Sequence, residues 1–160
     1  MNNTIPDQFA RTIVDLFDDA GWDWLNRLPT IVAECERRWS LTVLPPFAPL
    51  TYNYVALAVR ADGSPAVLKV SFPDAQVQAE IAALRLFDGS GSVRLLATDP
   101  ETGTLLLEQL RPGTPLSTLT DDEEATSIAA TVMRQLWRPA PPEHAFPSIV
   151  RWTEGLGRLR

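Results

Sequence analysis

Residues 51–88 read TYNYVALAVRADGSPAVLKVSFPDAQVQAEIAALRLFD, and a change of period inside them decides the fold. Thr51 to Arg60 and Ala66 to Phe72 are rich in Val, Leu, Tyr and Thr, which suit a pleated, half-buried surface. Asp62-Gly63 between them is a hairpin turn, since both residue types tolerate the left-handed backbone that such turns need. After Phe72 the spacing becomes helical. Asp74 can accept the unpaired N–H groups of a first turn, and Val77, Ile81 and Leu84 fall on one stripe of a helix running to about Phe87. Gly89, Ser90 and Gly91 end it.

Outward from this block the strand pattern continues. Val93 to Thr98 and Thr104 to Leu110 flank the turn Asp99-Pro100-Glu101-Thr102-Gly103, and Leu41 to Leu44 precede the block. The order from Leu41 is strand, strand, strand, helix, strand, strand, which is an α+β arrangement.

Two helices lead into it. Residues 7–19 place Phe9, Ile13, Leu16 and Phe17 on one stripe that Gly21 closes, and Trp24 to Trp39 repeat Leu25, Leu28, Val32, Cys35 and Trp39. Pro29 either bends the second helix or lies near its first turn. Cys35 falls on the apolar stripe, the place of a small core residue rather than a nucleophile.

After the strands, Arg111-Pro112-Gly113-Thr114-Pro115 is a stiff loop without period. Thr120-Asp121-Asp122-Glu123 reads as a capping box opening a helix through Trp137, with Ala125, Ile128, Val132, Met133 and Leu136 inside. A Pro-rich linker covers Arg138 to Pro147. A last helical pattern, Ile149, Trp152, Leu156 and Leu159, runs to Arg160 without a terminator, so the expectation is a chain that stops inside a larger protein. Apolar surface on these last helices is then expected to be exposed. The expected units are residues 1–40, a helical extension, 41–111, a sheet lobe, and 112–160, a linker and the first helices of a second lobe.

Composition bounds the function. The 160 residues carry 20 acidic against 14 basic side chains, a net charge of -6. That balance argues against a nucleic-acid surface. No apolar run approaches the ~20 residues that span a bilayer, and the acidic N-terminal stretch is no secretory signal. One cysteine excludes an internal disulfide framework. The expectation is a cytoplasmic protein without a membrane or nucleic-acid partner. The 14 prolines cluster at Pro45, Pro46 and Pro49 and again at Pro139, Pro141, Pro142 and Pro147, marking boundaries.

The informative residue is Lys69, the only lysine beside 13 arginines. It stands in an apolar strand, where an ammonium is costly without an anion, and Glu80 is the acid inside the following helix. One reading is an edge-strand lysine and a surface glutamate. The other is an ammonium held by a carboxylate so that it can meet phosphate oxygens, a role in which arginine is no equivalent.

The runs NYVALAVRADGSPAVLKV, QAEIAALRLFDG, VRLLATDPETGTLLLEQLRPGTPL and AATVMRQLWRPAPP, in that order, resemble the streptomycin kinase branch of the aminoglycoside phosphotransferases. The resemblance extends over nearly the whole chain. It implies a protein-kinase-like N-lobe, a five-stranded antiparallel sheet with one helix, followed by the start of a helical C-lobe. It further implies transfer of the ATP γ-phosphate, with Mg²⁺, to a hydroxyl of an aminoglycoside antibiotic, by a monomer when full-length. Lys69 would then bind phosphates and Glu80 orient it. Leu107, Glu108, Gln109 and Leu110 would form the hinge whose main chain reads adenine, although Glu108 could equally be a plain strand end. Val55, Val67 and Leu107 would line the adenine slot or simply belong to the core.

Two departures qualify the resemblance. No glycine occurs between Leu41 and Arg60, so Thr51 and Asn53 in the turn Pro49 to Tyr54 would supply donors to the phosphates, unless Asn53 serves only the turn. The family's His-Gly-Asp run and its metal-binding Asp are absent. The one histidine, His144, is followed by Ala145-Phe146 in the linker, and Asp121 and Asp122 are explained by the cap. No catalytic residue is therefore expected in this chain, which by itself should not turn over. The alternative is a non-catalytic nucleotide-binding remnant or an interaction module.

Overall fold

Asp62 fixes the central hairpin. Its Oδ1 accepts the Ser64 N–H at 2.9 Å and the Ser64 hydroxyl at 2.5 Å, while Gly63 takes φ 79°. These bonds, the side-chain one first, hold the Asp62 carboxyl below its ordinary pKa. In this computed structural model, which describes residues 5–144 and 146–154, the hairpin joins β2 (Tyr54–Arg60) to β3 (Pro65–Val70). Tyr54 pairs with Val70 and Val55 with Lys69.

With β1 (Leu41–Pro46), β4 (Leu95–Asp99) and β5 (Thr104–Glu108), the strands form one antiparallel sheet in the order β1-β2-β3-β5-β4. This is the α+β sheet lobe that the resemblance implies. The strand ends shift by one to three residues from the sequence reading. β2 starts at Tyr54 because residues 51–53 turn, and β5 stops at Glu108 before the chain leaves the sheet.

Alternation along the strands divides the core in two. Ala56, Leu68 and Val70 face one side and pack with Phe9, Ile13, Trp24, Leu28 and Val32 of α1 (Asp7–Trp39). Val67, Leu105 and Leu107 face the other, under Val77, Ile81 and Leu84 of α2 (Ala75–Phe87). Each buried Val, Leu, Ile or Phe among them contributes about 1.5–3 kcal/mol of transfer free energy, so the two helices hold the sheet between them. Asp74 caps α2, its Oδ1 accepting from the N–H groups of Gln76 and Val77 at 2.8 and 3.0 Å.

Three expectations are corrected. The break in the leading helices is at Asp18 (φ 50°, ψ -134°), not at Gly21. Gly21 instead permits contact: a Cβ there would lie 2.6 Å from the Ile13 carbonyl oxygen. Leu16, placed on the buried stripe, is 53% exposed beside the break. Pro29 lies within the helix on its exposed side.

The third correction concerns α3 (Asp122–Leu136). Its N-cap is Asp121, whose Oδ1 accepts from the Glu123 and Glu124 N–H groups, rather than Thr120. Ile128, Val132 and Met133, read as inside, are exposed; a close approach of α3 to the lobe is at Gly91, beside Val132, Gln135 and Leu136. In α4 (Ile149–Glu154) Ile149 and Val150 are exposed. Leu156, Leu159 and the Trp152 side chain lie outside the described residues. Among the described residues no helix is long and apolar enough to cross a membrane.

Candidate functional site

β3 carries Lys69 on the face that α2 only partly covers, and the second turn of α2 carries Glu80 above it. The Asp74 cap fixes where that helix starts, and so where Glu80 falls. Lys69 Nζ donates to both carboxylate oxygens of Glu80, at 2.6 and 2.8 Å. The two side chains keep 19% and 36% of their exposure. A pair so open to water adds about 0–1 kcal/mol to stability, so its consequence is positional. It holds an ammonium fixed at the edge of open space.

That space is a cleft of about 490 Å³. Lys69 and Glu80 form part of its wall with Asn53 and Tyr52 from the β1–β2 turn. Leu16 and Phe17 come from α1, and Ser71, Phe72, Asp74, Gln76 and Val77 from the junction of β3 and α2. The structure thus brings Asn53 to the same cleft as the ion pair. The sequence did not mark Tyr52, Ser71, Phe72, Leu16 or Phe17 as site residues, Leu16 and Phe17 being read only as part of a helix stripe. For Ser71 a signal existed: two residues beyond Lys69, it continues the same face of the strand.

The expected hinge residues lie elsewhere. Glu108 ends β5 opposite Ala66, three ladder steps or roughly 10 Å from the Lys69–Leu105 pair. Its carboxylate accepts the Arg94 N–H at 2.7 Å, and its own N–H donates to the Arg94 carbonyl at 3.0 Å. Both groups are therefore committed to the neighbouring segment of the sheet. The Gln109 side chain accepts two bonds from Arg111, and Leu110 is exposed. Val67 and Leu107 pack in the α2 core, and Val55, opposite Lys69, is half-buried.

His144 is exposed in the linker, its Nδ1 accepting from the Phe146 N–H. Cys35 is buried against the sheet, and burial pushes its thiol pKa up. Among the described residues no three His, Cys, Asp or Glu side chains gather as a metal cluster would.

Comparison with known proteins gives the family. A family model described as aminoglycoside/hydroxyurea antibiotic resistance kinase matches residues 38–159. The streptomycin 6-kinase of Streptomyces glaucescens is 36% identical over 138 residues, covering 86% of this chain and 45% of that protein. The streptomycin 6-kinase of Streptomyces griseus is 35% identical over 139 residues with the same shares. The hydroxyurea phosphotransferase of Kitasatospora aureofaciens is 42% identical over 126 residues, 78% of this chain and 37% of its own. The chain spans less than half the length of the curated relatives it matches.

Proposed function

This chain belongs to the aminoglycoside/hydroxyurea antibiotic resistance kinase family, and we propose that it carries the nucleotide-binding part of an ATP-dependent phosphotransferase. The acceptor is a hydroxyl of a streptomycin-type aminoglycoside, whose phosphorylation gives resistance. The observation that carries this reading is the bidentate contact of Lys69 with Glu80 at the wall of an open cleft. An isolated ammonium would rotate freely. One gripped by a carboxylate offers its remaining N–H to a phosphoryl oxygen in a fixed direction.

In this reading Lys69 meets the α- and β-phosphates, Glu80 orients it, and Asn53 adds a donor from the β1–β2 turn. The main chain of Glu108, Gln109 and Leu110 borders the adenine. The donor set suits a polyphosphate tail. Mg²⁺ would neutralise developing charge on the phosphates, its protein ligands belonging to sequence outside these 160 residues. The catalytic aspartate and the acidic antibiotic pocket belong there too, since the sequence has no His-Gly-Asp run. The full-length enzyme acts as a cytoplasmic monomer.

Titration of the purified chain with MgATP, followed by a search for a phosphoryl mass shift on streptomycin, tests the reading. The expected result is binding without transfer, weakened at least about tenfold by Lys69→Ala. Transfer by the 160 residues alone would refute the need for further sequence. Absence of nucleotide binding would refute the assignment of the cleft. Binding that persists unchanged in a longer, still inactive chain would favour the non-catalytic remnant.

A further inference from the structure

Ser71 is 6% exposed, and its hydroxyl has no hydrogen-bond partner in the protein. Among the described residues one other buried side-chain polar atom shares that state, Trp24 Nε1, which sits in the aromatic core of α1. Ser71 instead lines the cleft with Lys69 and Glu80. A buried hydroxyl without a partner is unfavourable, and alanine would fill the same place at no such cost. Its presence is understandable if something that enters the cleft accepts its proton.

The backbone here leaves the side chain little choice of face. The Ser71 N–H donates to the Gly103 carbonyl at 2.9 Å, continuing the β3–β5 ladder one residue past the strand. Gly103, at φ 70°, lies so close that an added Cβ would collide with the Ser71 carbonyl oxygen. Strand alternation therefore carries Ser71 to the face of Lys69, about 7 Å farther along the chain.

The two carboxylates nearest in the cleft already accept bonds of their own. Asp74 Oδ1 receives the N–H groups of Gln76 and Val77, and both oxygens of Glu80 receive Lys69. Beside an ammonium, a hydroxyl that no protein group engages and that can donate matches an acceptor-rich anion.

We propose that Ser71 is a ligand-contacting residue whose hydroxyl donates to a β-phosphoryl oxygen of the nucleotide held by Lys69. The inference rests on the nucleotide reading above and extends it to a residue two positions from the lysine. Serine reaches three staggered positions about one torsion, so its hydroxyl can turn toward an arriving oxygen without moving the backbone.

Calorimetric titration of wild type and Ser71→Ala with MgATP, MgADP and AMP, with the melting temperature of each free protein, tests it. The expected result is about tenfold weaker binding of MgATP and MgADP, the effect of one charge-assisted hydrogen bond. AMP binding should be unchanged, and the free variant should melt no lower than wild type. Equal MgATP affinity in the two proteins would overturn the inference and leave the nucleotide reading standing. So would an equal loss for AMP and ATP, or a lower melting temperature, each marking a merely structural serine. A wild-type chain that binds none of the three nucleotides would overturn the nucleotide reading itself, and this inference with it.

Discussion

Phe17 lies flat on Phe72, ring centroids 3.9 Å apart and planes 10° from parallel. The contact ties the break in α1 to the segment that leaves β3 just beyond Lys69. Trp24 meets Phe72 edge-on at 6.3 Å, so the clamp has two aromatic jaws from the leading helix. Both Phe17 and Phe72 border the cleft. The helical extension is thereby a wall of the candidate site and not a detached preface to it.

Phe17→Ala should therefore act at two levels. Loss of a stacked, half-buried ring is expected to lower stability by about 2 kcal/mol, less than the 3–5 of a fully buried phenylalanine. Urea unfolding followed by tryptophan fluorescence would measure it. A change below about 0.5 kcal/mol would mean that the extension does not brace the lobe.

Glu80→Gln separates position from stability. The substitution keeps shape and removes the charge that grips Lys69. Because the pair is partly exposed, unfolding free energy should change by less than about 1 kcal/mol. MgATP affinity should fall about tenfold as the ammonium loses its tether. A large stability loss with unchanged nucleotide affinity would make the pair a structural bridge and remove its assigned role.

Asp18 holds a backbone conformation, φ 50° and ψ -134°, that favours glycine. Asp18→Gly should raise stability by about 1 kcal/mol, as relief of that strain outweighs glycine's greater freedom in the unfolded chain. Thermal unfolding would show it as a higher midpoint. A lower midpoint would mean that the Asp18 side chain contributes a contact worth more than the strain.

How far the sequence disclosed this molecule depends on whether a local signal shared the direction of the tertiary one. The β2–β3 hairpin was legible because Asp62-Gly63 specifies its turn and the alternation of Ala56, Ala58, Ala66 and Leu68 specifies its face. Lys69 and Glu80 were legible because an apolar strand makes a charge conspicuous. The break at Asp18 was not, since an aspartate there carries no local preference for the fold it adopts. Gly21 drew the break toward itself, although its service is a close approach to Ile13. Thr120 and Asp121 both suit a helix cap, and only the chain's path decides between them. For Ser71 the spacing from Lys69 records only the face it shares, whereas its orphaned hydroxyl is defined by what surrounds it.

Cys35 offers the last test, through pH. Burial raises its thiol pKa, with a hydrogen bond to Thr104 opposing the shift. The folded state therefore favours the protonated thiol. Its contribution is fully present below the ordinary thiol pKa, and stability declines as pH rises above that value, because only the unfolded chain ionises freely. Since the thiolate is the reactive form, native Cys35 should react with a disulfide reagent at pH 8 at least about tenfold more slowly than in urea. Cys35→Ala should flatten the alkaline fall in stability. Rapid labelling of the folded protein would place the thiol in solvent and contradict the packing of α1 against the sheet.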